Sequence, residues 1–203
     1  MRPRFIALEG VDGSGKSTQA RMLADALGAR GVPVLLTREP GGTPLGEGLR
    51  GLLLDVAITT IGPVAEAYLF AAARAALVEE VIRPALERGE WVVTDRFVDS
   101  SLAYQGAAGG LGLDTVWDLN RRALGDCLPD LAVVIDVPVD VAAERRCADP
   151  DRIEAQGLGF QERVAEGYRA LAARFPDRVV MVPGLGSVDE VHDAVMARVA
   201  PWL

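Results

Sequence analysis

The sequence predicts an α/β fold in three layers, a five-stranded parallel sheet flanked by helices, formed as a single domain over residues 1–203. Two observations carry this. Five short apolar runs alternate with stretches of helical periodicity, the pattern of successive strand–helix–strand units. The first run also passes directly into a glycine-rich loop and then a helix, with no internal repeat, low-complexity tract or interdomain linker anywhere in the chain.

Phe5-Ile6-Ala7-Leu8 is a short apolar run suited to a buried parallel strand. Gly10-Val11-Asp12-Gly13-Ser14-Gly15-Lys16-Ser17 follows, a complete G-x-x-x-x-G-K-S phosphate-binding loop, and the fold expected is therefore P-loop NTPase-like. Its glycines reach backbone angles that a Cβ disfavours, so N–H groups can turn inward around a phosphate. Lys16 reaches the β- and γ-phosphates, the Ser17 hydroxyl can ligate Mg²⁺, and the helix beginning at Thr18 adds partial positive charge. That helix runs to Leu27 with Ala20, Leu23, Ala24 and Leu27 on one face. Lys16 is the only lysine in the chain; every other basic side chain is arginine.

Val32 to Thr37 reads as the second strand, and Arg38-Glu39-Pro40-Gly41-Gly42-Thr43-Pro44 as a rigid polar loop. A short helix spans Leu45 to Asp55, with a turn at Thr59 to Pro63. Pro63 opens a long alanine-rich helix to about Gly89, kinked or split at Pro84. Phe70 and Arg74 share one face of it, a ring and a guanidinium suited to stack on and hydrogen-bond a nucleobase; Phe70 alone also suits the core. Trp91 to Thr94 is a buried strand that ends in Asp95-Arg96-Phe97, placing a carboxylate beside the ligand crevice. Gly106 to Gly112 reads as flexible, and Asp114 as the cap of a helix to Leu124. Leu131 to Val137 is the fourth strand, and Asp140 to Cys147 is helical. A polar flap at about residues 146–158 carries Arg152, with Arg145 and Arg146 at its edge. Phe160 to Phe175 is helical, Arg178 to Val182 is the fifth strand, and Ser187 caps a last helix to Val199.

A net charge of −8 argues against a protein that coats nucleic acid. No signal peptide or 18-residue apolar stretch is read, and Cys127 and Cys147 suit free thiols; a cytoplasmic protein is expected. The lone histidine, His192, is expected at the surface and leaves no room for Ser-His-Asp or multi-histidine metal chemistry. With a single lysine, the N-K-x-D guanine reader of GTPases cannot exist. A small-molecule kinase then accounts best for the second charged loop and the arginine-bearing flap. A P-loop ATPase or nucleotide-dependent binding module that is not a kinase is the alternative.

The phosphate loop, Thr37 to Thr43, Leu69-Phe70 through Arg74, Asp95-Arg96-Phe97, Ser100 to Gly106 and Asp151-Arg152-Ile153-Glu154 together resemble bacterial thymidylate kinase over nearly the whole chain. The resemblance implies transfer of the γ-phosphoryl of Mg·ATP to dTMP, in dTTP biosynthesis, by a homodimer. It implies that ATP binds at Gly10 to Thr18, with Ser17 and Asp95 organising Mg²⁺. It also implies that Phe70 stacks on thymine, Arg74 reads its edge, and Arg96 and Arg38 hold the acceptor phosphate. Asp12 would approach the sugar 3′-hydroxyl, Tyr104 would fill the space of a ribose 2′-hydroxyl, and Ser100 and Gln105 would lie near base and sugar. Two departures stand out: Phe97 where tyrosine is common, and Cys147 where relatives often place an arginine. Gly13 replaces an arginine found in some relatives' phosphate loops, so the transition-state charge is expected from Arg145 or Arg152, ahead of Arg146.

Overall fold

The structure is a computed structural model, described here for residues 2–58, 60–145 and 150–203. Five strands form one all-parallel sheet in the order β2-β3-β1-β4-β5. They are β1 (Phe5–Glu9), β2 (Val34–Arg38), β3 (Trp91–Asp95), β4 (Leu131–Asp136) and β5 (Val179–Pro183). Central β1 is buried along its whole length, which is why it reads as a continuous apolar run up to Glu9. Edge strand β2 is partly exposed.

The helices are α1 (Lys16–Ala29), α2 (Pro44–Leu54), α3 (Pro63–Leu77), α4 (Arg83–Glu87), α5 (Val98–Ser101), α6 (Leu113–Leu124), α7 (Val139–Glu144), α8 (Leu158–Arg174) and α9 (Val188–Val199). Sheet and helices enclose one core cluster that includes Ile6, Leu8, Leu23, Val93, Val133, Val164 and Val195. Ser187 caps α9 through a reciprocal capping box with Glu190, as the sequence predicts.

The predicted break at Pro84 takes a specific form. Between α3 and α4 the chain widens into a π-helical turn, Val78–Ile82, and the Arg83 N–H reaches back to the Val78 carbonyl. The wider turn absorbs the donor that proline lacks and gives its ring room.

Three expectations need correction. Residues 106–108 are not a flexible linker: α5 continues as a π-helical segment, Leu102–Ala108, in which Gly106 and Ala108 are buried. Gly106 also has Leu113 and the Gly112 carbonyl packed against it, so this glycine serves close packing rather than freedom. Asp114 is not a cap but lies in the first turn of α6, which starts after Gly112. His192 is half-buried, and its Nδ1 is enclosed without a partner. Arg146, Cys147 and Asp149, at the start of the predicted flap, lie outside the described residues.

Candidate active site

The carboxyl ends of β1 and β3, the two central strands, carry the site. β1 delivers the phosphate loop. Gly10 has φ 139°, and a Cβ there would lie 2.7 Å from Ser14 Oγ and 2.8 Å from the Ile135 carbonyl, so only glycine fits. Gly15 sits at the head of α1 in the left-handed region, and no side chain caps that helix. The first N–H groups of α1 therefore remain available to an anion, beside the exposed Ser17 and Thr18. Lys16 is buried and donates to the Val11 carbonyl at 2.8 Å. Burial, opposed only in part by nearby carboxylates, brings its pKa down to about 8.

β3 delivers Asp95 and Arg96. The Ser17 hydroxyl donates to Asp95 Oδ2, while buried Asp95 Oδ1 has no partner among the described residues. Arg96 adopts φ 72°, a left-handed conformation costing a non-glycine residue ~1–2 kcal/mol. Its guanidinium pairs with Asp12 and donates to the Gly10 carbonyl and to Ser100 Oγ at 3.0 Å each. Arg96 also donates to the Tyr104 hydroxyl at 3.0 Å, and that hydroxyl donates to Asp12 at 2.9 Å. Burial disfavours the Asp12 charge, but Arg96 and Lys16 together hold its carboxyl below the usual carboxylate range.

A cavity of about 480 Å³ opens beside these groups. It is lined by half-buried Phe70, by Tyr104, Gln105 and Ser100, and by the loop residues Asp12 and Lys16. The π-helical segment after α5 turns Tyr104 and Gln105 onto the cavity. Arg74 also lines it, but from a fully buried position in which Glu39 takes its Nε and Nη2 and Asn120 its Nη1. Across the phosphate loop, a second cavity of about 480 Å³ is lined by Gly13, Thr18, Arg145, Gly184 and Val191.

A sequence model of thymidylate kinases matches residues 8–195. The chain belongs to the thymidylate kinase family. The thymidylate kinase of Geobacter sp. (strain M21) is 47% identical over 206 residues, covering 96% of this chain and 92% of the relative. That of Rhizorhabdus wittichii is 47% identical over 207 residues, covering both chains fully. The crystal structure of thymidylate kinase from Ehrlichia chaffeensis superimposes with a TM-score of 0.81 at 33% identity, covering 98% of this chain and 99% of that one.

Among this thymidylate kinase family member's predicted site residues, the structure brings Asp12, Lys16, Ser17, Arg38, Phe70, Arg74, Asp95, Arg96, Ser100, Tyr104 and Gln105 onto one cavity. Arg38 is half exposed and held by Glu47 at 3.0 Å. Arg152 is placed differently. Its Nε donates to the Leu53 carbonyl at 2.7 Å and its Nη2 to Glu66 at 2.6 Å, and it lines neither cavity. Glu66 in turn accepts from Gln105 at 2.9 Å, so Arg152 belongs to the Gln105 side. Arg145 lies on the other cavity and donates to the Gly184 carbonyl at 3.0 Å.

Sequence reasoning passed over Glu9, Glu66, Asn120, Gln161 and Tyr168. Glu9 had a legible signal, an acid ending an apolar strand just before the loop. Gln161 reaches Asp12 from 149 residues away, and no local pattern announces it.

Proposed function

We propose that this protein is a dTMP kinase, transferring the γ-phosphoryl group of ATP to dTMP to give dTDP and ADP. The observation that carries the reading is the pair of cavities meeting at one phosphate loop, the first lined by the Phe70 ring and by the guanidinium side chains of Arg74 and Arg96. Membership in the thymidylate kinase family supports the same conclusion and disfavours an ATPase or binding module that is not a kinase.

ATP would place its phosphates on Gly10 to Thr18. Asp95 Oδ1, enclosed and unpartnered beside the Ser17 hydroxyl, fits a hard divalent cation held by few protein oxygens, and Mg²⁺ is the cation we propose. When bound, the cation would neutralise charge building on the phosphoryl oxygens.

On the acceptor side, Phe70 would stack on thymine. Four of the five N–H groups of Arg74 are engaged by Glu39, Asn120 and the Phe97 carbonyl, leaving one for a base edge. Arg96 and Arg38 would grip the acceptor phosphate, itself the nucleophile, so no strong general base is required. Asp12 would accept from the 3′-hydroxyl, and the ring of Tyr104, pinned by Arg96 and Asp12, would exclude a 2′-hydroxyl. Catalysis then rests on positioning and charge stabilisation. Arg145 is the described flap arginine placed to contribute on the ATP side, and Arg152 is assigned to the acceptor side.

The same reading treats the chain as one kinase domain with a flap at 146–158, working in the cytoplasm as a homodimer. Of the α3 alanines, Ala67, Ala71, Ala73 and Ala76 are buried within the subunit, while Ala65 and Ala72 stay exposed on the face proposed for the dimer. Val64 and Tyr68 of α3 and Leu45 and Leu52 of α2 are the exposed apolar groups we assign to it.

Release of ADP with Mg·ATP and a panel of monophosphates tests the function. dTMP should be the fastest acceptor; faster turnover of AMP or CMP would overturn the assignment.

A further inference from the structure

One fully buried carboxylate has no part in the mechanism above, on which this inference rests. Glu9 closes β1 directly before the phosphate loop. Its Oε1 accepts the Phe97 N–H at 2.8 Å, and its Oε2 accepts the hydroxyls of Ser100 at 2.6 Å and Tyr168 at 2.9 Å. A hydroxyl that donates to Glu9 has only lone pairs left for its other neighbours. Those other neighbours include Arg96, whose Nη1 donates to Ser100 Oγ at 3.0 Å and reaches Tyr168 Oη at 3.4 Å.

Glu9 acts on the backbone as well. Arg96 is held in its left-handed conformation by its own N–H to the Leu8 carbonyl at 2.9 Å and by the Thr94 hydroxyl on its carbonyl at 2.8 Å. The next N–H, that of Phe97, is the one tied to Glu9. Arg178, a half-buried cation that Glu9 also attracts, is already paired with Asp99 at 2.6 and 2.8 Å.

We infer that Glu9 is a positioning residue for Arg96: in its ionised form the carboxylate orients two hydroxyls toward the guanidinium and clamps the backbone beside it, so that Arg96 is aimed before dTMP arrives. A glutamine at this position keeps the shape but brings an N–H₂ into the hydroxyl pair. One hydroxyl must then accept from the glutamine N–H₂ instead of donating to residue 9, and its own proton has to find another acceptor, which reverses the polarity of the network.

The test is dTMP and ATP affinity of the full-length protein by calorimetry, for wild type, Glu9→Gln, Tyr168→Phe and the double variant. Glu9→Gln should weaken dTMP binding by about tenfold, the scale of one charge-assisted hydrogen bond, and leave ATP affinity within about twofold. Tyr168→Phe, which keeps the ring in the core, should weaken dTMP alone by about threefold and add little to Glu9→Gln. Should Glu9→Gln not fold, Tyr168→Phe decides by itself. Unchanged dTMP affinity in the variants, or equal loss of ATP and dTMP affinity, overturns the inference alone. A wild-type protein that binds no dTMP overturns the functional reading and this inference with it.

Discussion

On the side of the phosphate loop that we propose takes the acceptor, Arg74, Arg96 and Arg152 are each locked to a buried or nearly buried carboxylate, from Glu39, Asp12 and Glu66. On the donor side, the loop presents uncapped backbone N–H groups, exposed Ser17 and Thr18, and Arg145 on a carbonyl. The contrast is one of materials. Buried ion pairs add little net stability once desolvation is counted, but they hold guanidiniums at fixed angles. That suits a pocket that must tell one nucleoside from another. Backbone N–H groups at a helix end recognise any phosphate and carry no information about a base.

Substitutions on each side should separate the two materials. The largest effect is expected from Lys16→Ala on the donor side, which should lower kcat roughly 10³-fold while the thermal midpoint stays near wild type, because its charge acts on the transferring group. Near-normal turnover would remove the loop from the chemistry. Next is Glu39→Ala, which strands the Arg74 charge in a fully buried position. A loss of about 3 kcal/mol in unfolding free energy is expected, measured by denaturant titration, with weaker dTMP binding and little change for ATP. A surface-like loss under about 1 kcal/mol would mean that the pair is not part of the rigid frame. Tyr104→Ala should be smaller still, narrowing the kcat/KM gap between dTMP and its ribose analogue by roughly tenfold. An unchanged ratio would place the hydroxyl-excluding wall elsewhere.

How far this division was legible follows from sequence distance. The phosphate loop, the strand before it, the helix after it and the Asp95-Arg96 pair at a strand end are local patterns, and they stand where the pattern put them. The network below them is not local. Glu9 meets Ser100 and Tyr168 across 91 and 159 residues, and Arg152 meets Glu66 across 86. Arginines near a polar turn read alike from sequence, whether they serve a phosphate or a carboxylate. The π-helical segment at Leu102–Ala108 reads partly as loop because Gly106 signals freedom, whereas tertiary packing uses it for close approach.

The smallest expected effect is a pH dependence. Burial, reinforced by Asp99 and opposed by Arg96, Ser100 and the Phe97 N–H, pushes Glu9 up to about 7 from an ordinary value of 4.5. Between those values the folded protein holds the proton more tightly than the unfolded chain, so stability falls as pH rises through the window. Lys16, Asp12, Asp99 and Arg178 surround the same network and are common to both proteins compared. Relative to Glu9→Gln, the wild type should therefore lose about 2–6 °C of thermal midpoint between pH 5 and pH 8. A constant difference across that range would mean that Glu9 does not titrate there.

The most direct measurement of the division itself compares selectivity on the two sides of one protein. kcat/KM is measured for dTMP, dUMP, dCMP and AMP with ATP as donor, and then for ATP, GTP, CTP and UTP with dTMP as acceptor. The account predicts a spread among acceptors at least tenfold wider than among donors, since the acceptor pocket is framed by locked side chains and the phosphate loop meets the donor through backbone N–H groups that read no base. An equal spread, or a wider one among donors, would contradict it.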